Sequence, residues 1–336
     1  MPLPEEENLT KIAVVGCGHH STRRVFPNFA RLPVRLVGVC DLNEELAARN
    51  ARRFGGEKVF TDTAKMLDET KPDGLVVCAG PEIHSKLSLV ALERGIPVYC
   101  EKPPAVTAAD AWKVAQASRK AGKLAMTGFK YRYGVAMQKV KRIMQTPEFG
   151  GVSALSVLRT AGAVKNDPSN PRSQFLLDFC CHPIDMIAYL GGDVREVFVH
   201  SPTPESYAIS AQFENGAVGS FLFSCRGSWN RPVDRTEILG NQGHVIFIDD
   251  QIFMTYHVDG VIKDSHDPKF CTAGGDSLEQ TGFEPELRAF VQYLRGERKA
   301  EDIPSNIAES AKSMALYEAI RKSAETRQPQ KPERLG

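Results

Sequence analysis

The sequence predicts a two-part α/β protein. A doubly wound parallel sheet covers residues 1–128, and an α/β part built on a large, mostly antiparallel sheet covers 129–336. Three observations predict it. Short apolar runs alternate with amphipathic stretches between residues 11 and 125. After about residue 128 the alternation gives way to apolar runs joined by Asn-Gly and Asp-Gly turns. A Gly16-Cys17-Gly18 turn follows the first apolar run, and Asp41 ends the second.

The first-part runs are Ile12–Val15, Leu36–Val39, Gly74–Cys78, Val98–Cys100 and Leu124–Met126. Each is apolar on both faces, as strands covered by helices on both sides must be. Helical periodicity occupies 43–54, 63–69, 84–94 and 107–121. Strand and helix in alternation build a parallel sheet. In the second part a helix over 134–146 precedes a strand over 152–160, a polar loop over 162–173 and a helix over about 179–190. Strands follow at Tyr207–Phe213, Ala217–Cys225, Thr236–Leu239, His244–Ile248 and Ile252–Val258. Asn215-Gly216 and Asp259-Gly260 supply the positive φ that tight hairpins need. Helices over about 284–295 and 306–325 close the chain, the second with small residues at Ala308, Ala311, Ala315 and Ala319. The tail from Gln328 reads as loose.

Composition excludes several classes. Apolar residues at 42% and charged residues at 25% describe a globular protein, and 336 residues suffice for two cores. A net charge of +1 creates no field to recruit nucleic acid or an anionic membrane. No apolar run approaches the roughly 20 residues that span a bilayer. The acidic start Met1–Glu7 lacks the apolar core of a signal peptide. Eight cysteines without a CxxC pair read as buried thiols in a reducing, cytoplasmic compartment. Cys180-Cys181, beside Phe179, reads as packing. No metal is expected, because His19 and His20 are adjacent and no third ligand lies near them.

Four segments carry chemistry. Gly16 makes a tight turn, and Gly18 lets backbone approach a pyrophosphate seated on helix N–H groups. Ser21 stands where a third glycine is usual. Asp41, roughly 20 residues on, fits an acid that binds the ribose hydroxyls of NAD. No Arg follows it, and its charge repels a 2′-phosphate, so NAD is expected over NADP. The alternative is an ordinary glycine turn with a helix-capping Asp. His19 faces the cofactor phosphates or solvent. Gly80-Pro81 and His84 end the run Gly74–Cys78, where ligand crevices form. His84 equally reads as a helix residue without a ligand. Glu101-Lys102-Pro103 follows Val98–Cys100. Lys102 would stabilise a developing alkoxide. The alternative is a solvated Glu–Lys pair. Asp178 and His182 are four apart and His182 and Asp185 three apart, which places His182 and one or both carboxylates on one helix face. Pro183 requires that helix to begin near Phe179 or Cys180, with Asp178 as its cap. The alternative is a capping Asp and a core His satisfied by Asp185.

These segments, with Gly128-Phe-Lys-Tyr-Arg132-Tyr between them, occur in an order that resembles the Gfo/Idh/MocA family (glucose–fructose oxidoreductase, inositol dehydrogenase, MocA) over nearly the whole chain. Glu101-Lys102-Pro103 is the most specific of them. The resemblance implies a Rossmann domain whose cofactor contacts are Gly16, Gly18, His19, Asp41, Pro81, His84, Glu101, Lys102 and Arg132. It implies that Lys102 touches both nicotinamide ribose and substrate, that His182 is the general base, and that Asp178 orients the substrate. The implied reaction oxidises or reduces a secondary alcohol or ketone of a sugar, sugar derivative or cyclitol. Dimers or tetramers would form through the outer face of the C-terminal sheet. Two alternatives are an NAD-dependent glycoside-cleaving enzyme and a cofactor-binding regulator without chemistry. The presence of Lys102, Asp178 and His182 argues against the regulator. The loop 162–173 and the segment Cys225–Arg231, with Trp229, suit hydroxyl-rich ligands.

Overall fold

The computed structural model describes residues 9–164, 173–268 and 277–334. It divides into two compact units: Met1–Phe129 with Phe283–Ala311, and Lys130–Gly282 with Lys312–Gly336.

The first unit holds six parallel strands: β1 (Thr10–Val15), β2 (Val34–Cys40), β3 (Val59–Phe60), β4 (Gly74–Val77), β5 (Val98–Cys100) and β6 (Ala125–Thr127). Their spatial order is 3-2-1-4-5-6. The order reverses between β1 and β4, and ligands bind where such a sheet reverses. The helices are α1 (Phe26–Phe29), α2 (Glu44–Phe54), α3 (Thr63–Thr70), α4 (Pro81–Glu93) and α5 (Ala108–Ala121). Local chemistry sets their ends. The Asn43 side chain accepts from the Glu45 and Leu46 N–H groups at the start of α2, and Gly55 in the left-handed region ends it. Ala13, Val15, Leu75, Val77 and Val98 pack with Met66, Leu67, Leu92 and Val114 in one core. The sequence reading misses β3, whose two residues are too short to show a period.

The second unit begins with α6 (Val135–Met144), β7 (Ala154–Thr160) and α7 (Cys181–Gly191). Seven more strands follow: β8 (Val194–His200), β9 (Ser206–Phe213), β10 (Val218–Ser224), β11 (Asp234–Leu239), β12 (His244–Asp249), β13 (Phe253–Val258) and β14 (Val261–His266). The sheet order is 14-13-12-11-7-10-9-8. Every adjacent pair is antiparallel except β7 with β10. Period-two burial fixes the register. On β9, Tyr207, Ile209, Ala211 and Phe213 are buried, and the residues between them are exposed. The sequence reading misses β8 and β14, the two edges. Val261-Ile-Lys-Asp-Ser-His266 has no apolar alternation because neither of its faces is buried deeply.

A short α8 (Ser277–Gln280) precedes α9 (Phe283–Leu294) and α10 (Ile307–Thr326). With α9 the chain returns to the first unit, where Leu294 and Phe290 fill the space a side chain at Gly74 would need. The tail is not loose as far as 334. Gln330 exchanges two backbone hydrogen bonds with Val197, at 2.8 and 2.9 Å, and Arg334 pairs with Glu214 at 2.6 Å. Cys17, Cys40, Cys100, Cys180, Cys181 and Cys225 are buried free thiols. Among the described residues no helix is long and apolar enough to cross a membrane.

Candidate active site

In the first unit the candidate residues are positioned mainly by backbone. Gly16 has φ +96°, and a Cβ there would collide with the Cys78 carbonyl oxygen. Only glycine satisfies both demands. Gly18 differs. Among the described residues, nothing beyond its own chain neighbours lies within 4 Å of the place its Cβ would take. That open space, directly before a helical segment, is a cradle a phosphate fits. Ser21 is buried and donates to the Gly18 carbonyl at 3.1 Å.

Asp41 braces this turn. Its Oδ2 accepts the Cys17 N–H at 2.7 Å and its Oδ1 accepts the Asn43 N–H at 2.9 Å. Asn43, not Asp41, caps α2. Arg49, which sequence reasoning missed, donates to the Cys17 carbonyl at 3.1 Å. Its place on α2 carries no sequence signal for that contact. His19 is exposed and lies 3.2 Å from an Arg23 nitrogen.

Pro81 opens α4. His84 is buried with both ring nitrogens used: Nε2 accepts the Ala79 N–H at 3.0 Å, and Nδ1 donates to the Pro103 carbonyl at 2.7 Å. Burial holds its pKa below the ordinary value, against the opposing pull of the Pro103 bond. A neutral ring therefore ties the loop after β4 to the loop after β5.

The loop after β5 contains a cis Lys102–Pro103 bond. Glu101 is buried and Lys102 is half-buried. Glu101 accepts the Lys102 N–H at 3.1 Å and the Tyr99 hydroxyl at 3.2 Å, and it lies 3.3 Å from His20. Burial alone would raise its pKa, but the His20 bond and the charges of His20 and Lys102 pull it below the usual carboxylate value. The Tyr99 hydroxyl also reaches Glu286 on α9 at 2.8 Å. Those two residues are 187 positions apart, and nothing in the sequence pairs them.

In the second unit the candidate residues are positioned by side chains. Residues Ser173–Phe179 form a π-helical turn, and α7 starts only at Cys181. Cys180 holds the N-cap position without a side-chain capping bond, and Asp178 lies exposed in the preceding turn rather than at the cap. The Cys180 N–H reaches back to the Phe175 carbonyl at 2.8 Å, which carries the wider turn into α7. His182, half-buried, packs on Tyr131 with ring centroids 4.7 Å apart.

Asp185 does not satisfy His182. It takes a bidentate pair from Arg132, at 2.9 and 2.7 Å, and the Ser313 hydroxyl at 2.7 Å. Burial would lower the Arg132 pKa, but Asp185 more than offsets this and the net shift is upward. The Arg132 guanidinium is buried, so its observed work is to pin the 3₁₀ turn Lys130–Tyr133 to the helix that carries His182. Elsewhere in this unit Arg159 forms an ion pair with buried Asp234, which Gln251 also contacts at 2.7 Å. Among the described residues no group of three His, Cys, Asp or Glu is placed to hold a metal.

Residues 10–129 match the model of the oxidoreductase family with an NAD-binding Rossmann fold, and 137–246 match the Gfo/Idh/MocA C-terminal domain. The chain is 24% identical over 229 residues to a myo-inositol 2-dehydrogenase of Thermotoga maritima, covering 62% of this chain and 66% of that protein. It is 30% identical over 201 residues to a D-glucoside 3-dehydrogenase of Escherichia coli, covering 57% of each. The matches thus span less than two thirds of these relatives' length. A solved levoglucosan dehydrogenase in complex with NADH and L-sorbose shares the fold, with TM-score 0.82 and 19% identity over 97% of this chain and 100% of that one. With both domains matched across more than half of its length, the chain belongs to the Gfo/Idh/MocA oxidoreductase family.

Proposed function

We propose that this protein is an NAD-dependent dehydrogenase acting on a secondary hydroxyl of a sugar, sugar derivative or cyclitol. One observation carries the reading. Lys102 and His182 each remain accessible beside a buried carboxylate, Glu101 or Asp185, that already has its partners. The buried carboxylate fixes the loop or helix, and the half-buried Lys102 or His182 is presented from that fixed backbone. The relatives named for inositol and D-glucoside, and the neighbour that holds NADH with L-sorbose, support the same class.

His182 accepts the hydroxyl proton, because a neutral imidazole is a competent base near neutral pH. Asp178 orients the hydroxyl-bearing ring and stabilises the imidazolium. The Lys102 ammonium stabilises the oxygen as negative charge develops. Gly16, Gly18, Asp41 and the loops tied by His84 hold the cofactor, whose nicotinamide supplies the hydride acceptor when bound. Asp41 favours NAD, since its braced carboxylate repels a 2′-phosphate. The reading includes a reducing, cytoplasmic compartment, supported by the buried thiols. It also includes a homo-oligomer. Val218 and Leu239, both exposed, flank Ala154 in one row across the sheet, and exposed Leu222 lies beside Leu158 two same-face rows further on, past Ser220, Ser156 and Glu237. Exposed apolar side chains set among polar ones on a sheet face suit self-association.

Calorimetry with NAD and NADP, followed by sugars and cyclitols added to the NAD complex while NADH absorbance is recorded, tests the proposal. The expected results are tighter NAD binding and substrate-dependent NADH formation. Cleavage of an aryl glycoside without any NADH signal would replace the reading with glycoside cleavage.

A further inference from the structure

Trp229 is an exposed indole held in one attitude. It is 56% exposed, whereas tryptophan is highly buried on average. Its Nε1 donates to the Ala163 carbonyl at 3.1 Å, and its ring meets the edge of Phe179 at 5.4 Å. It sits directly on Gly162, where a Cβ would collide with the indole. Phe179 adjoins Asp178 in the chain. The Arg159 guanidinium lies 5.1 Å over Phe179, Tyr131 stabilises its charge, and Tyr131 packs on His182. A continuous line of contacts therefore joins the open indole to the candidate base, and all of it lies within the second unit.

We propose that Trp229 is a wall of the substrate site, on which the C–H face of a pyranose or cyclitol ring stacks. The proposal rests on the dehydrogenase reading and deepens it. A cyclic polyol presents polarised C–H groups on its face and hydroxyls around its rim. The face of an indole is electron-rich and suits the former. The rim hydroxyls remain free for directional bonds to groups such as Asp178. An indole already fixed by Ala163, Phe179 and Gly162 loses little freedom when a ring settles on it, so the contact contributes more of its energy to binding. Acyclic polyols offer no flat C–H face and gain less from the wall. Ring shape is therefore selected at Trp229, while the hydroxyl to be oxidised is selected at His182.

The chain has two tryptophans, and the other, Trp112, lies on α5 of the first unit. The Trp112→Phe protein thus reports on Trp229 alone. With NAD present, ring sugars and inositols should change its emission saturably, with half-saturation near the KM of the NADH-forming reaction. Acyclic polyols of equal hydroxyl count should need several-fold more. Trp229→Ala should raise KM for ring substrates about ten-fold. Its kcat, NAD affinity and Tm should stay close to those of the parent, and Trp229→Phe should restore most of the KM. A Trp229→Ala enzyme that turns over ring substrates with unchanged KM would overturn the wall and leave the dehydrogenase reading intact. So would a loss confined to kcat or Tm. If no sugar or cyclitol yields NADH, the dehydrogenase reading fails, and the emission titration still decides the wall. A saturable ring-sugar response upholds it. No response, or a change that follows protein concentration alone, overturns it.

Discussion

The glycine turn after β1 and the helix start before His182 present functional groups in opposite ways. At the turn, backbone does the positioning: the φ of Gly16, the Cys78 carbonyl against it, and two N–H groups gathered by Asp41. At His182, side chains distant in sequence do it. Arg132 reaches Asp185 across 53 residues and Ser313 reaches it across 128. A backbone-built site is legible from local spacing, because the same few residues make the geometry and the motif. A side-chain-built site shows only its reactive members in the sequence.

The comparison can be broken most forcefully at Asp185. Asp185→Ala leaves the buried Arg132 charge unpaired, and removing one member of such a pair costs about 3–5 kcal/mol. Denaturant unfolding should show that loss, while Arg132→Met combined with Asp185→Leu should recover much of it. If Asp185→Ala were as stable as the parent, side-chain anchoring of the His182 helix would be wrong.

The next effect separates the two glycines. Gly16→Ala forces an L-residue to positive φ and into the Cys78 carbonyl, so stability should fall by about 1–3 kcal/mol or more, and NAD binding with it. Among the described residues Gly18→Ala meets nothing beyond its own chain neighbours, so Tm should hold while calorimetry shows weaker NAD binding. Equal stability losses at both glycines would mean that Gly18 is structural and its open space is not a cofactor cradle.

The same contrast explains what the sequence revealed. The doubly wound sheet, the glycine turn and the mostly antiparallel second sheet were legible because period and turn chemistry are local. The edge strands β8 and β14 were not, since an edge needs no full alternation. Nor was the return of α9 to the first unit, where Glu286 meets Tyr99, because amphipathicity marks a buried face without saying what buries it. Asp178 was read as a cap from the position of Pro183. The π-helical turn displaced the cap to Cys180, and spacing rules assume 3.6 residues per turn. Arg132 was legible as part of a motif, while its bond to Asp185 was not.

The smallest effect is a pH slope. His84 is buried and neutral, with its pKa held below the ordinary value. The unfolded chain takes up that proton near pH 6.5, and the folded chain does so only at lower pH. The folded state therefore keeps the full His84 contribution above about pH 6.5 and loses stability as pH falls below it. Unfolding free energies measured from pH 8 to 5 should decline in that lower range. His84→Asn should be less stable overall and should flatten the decline. A slope that survives unchanged in His84→Asn would assign it to other groups.

The most direct test of the central claim measures turnover and Tm on one preparation of His182→Ala, with NAD and a ring substrate that the parent oxidises. A general base contributes typically about 10²–10⁴-fold, so NADH formation per folded molecule should fall by that factor while NAD affinity and Tm stay near those of the parent. Near-normal turnover per folded molecule, with a lowered Tm, would contradict the account and make His182 a packing residue.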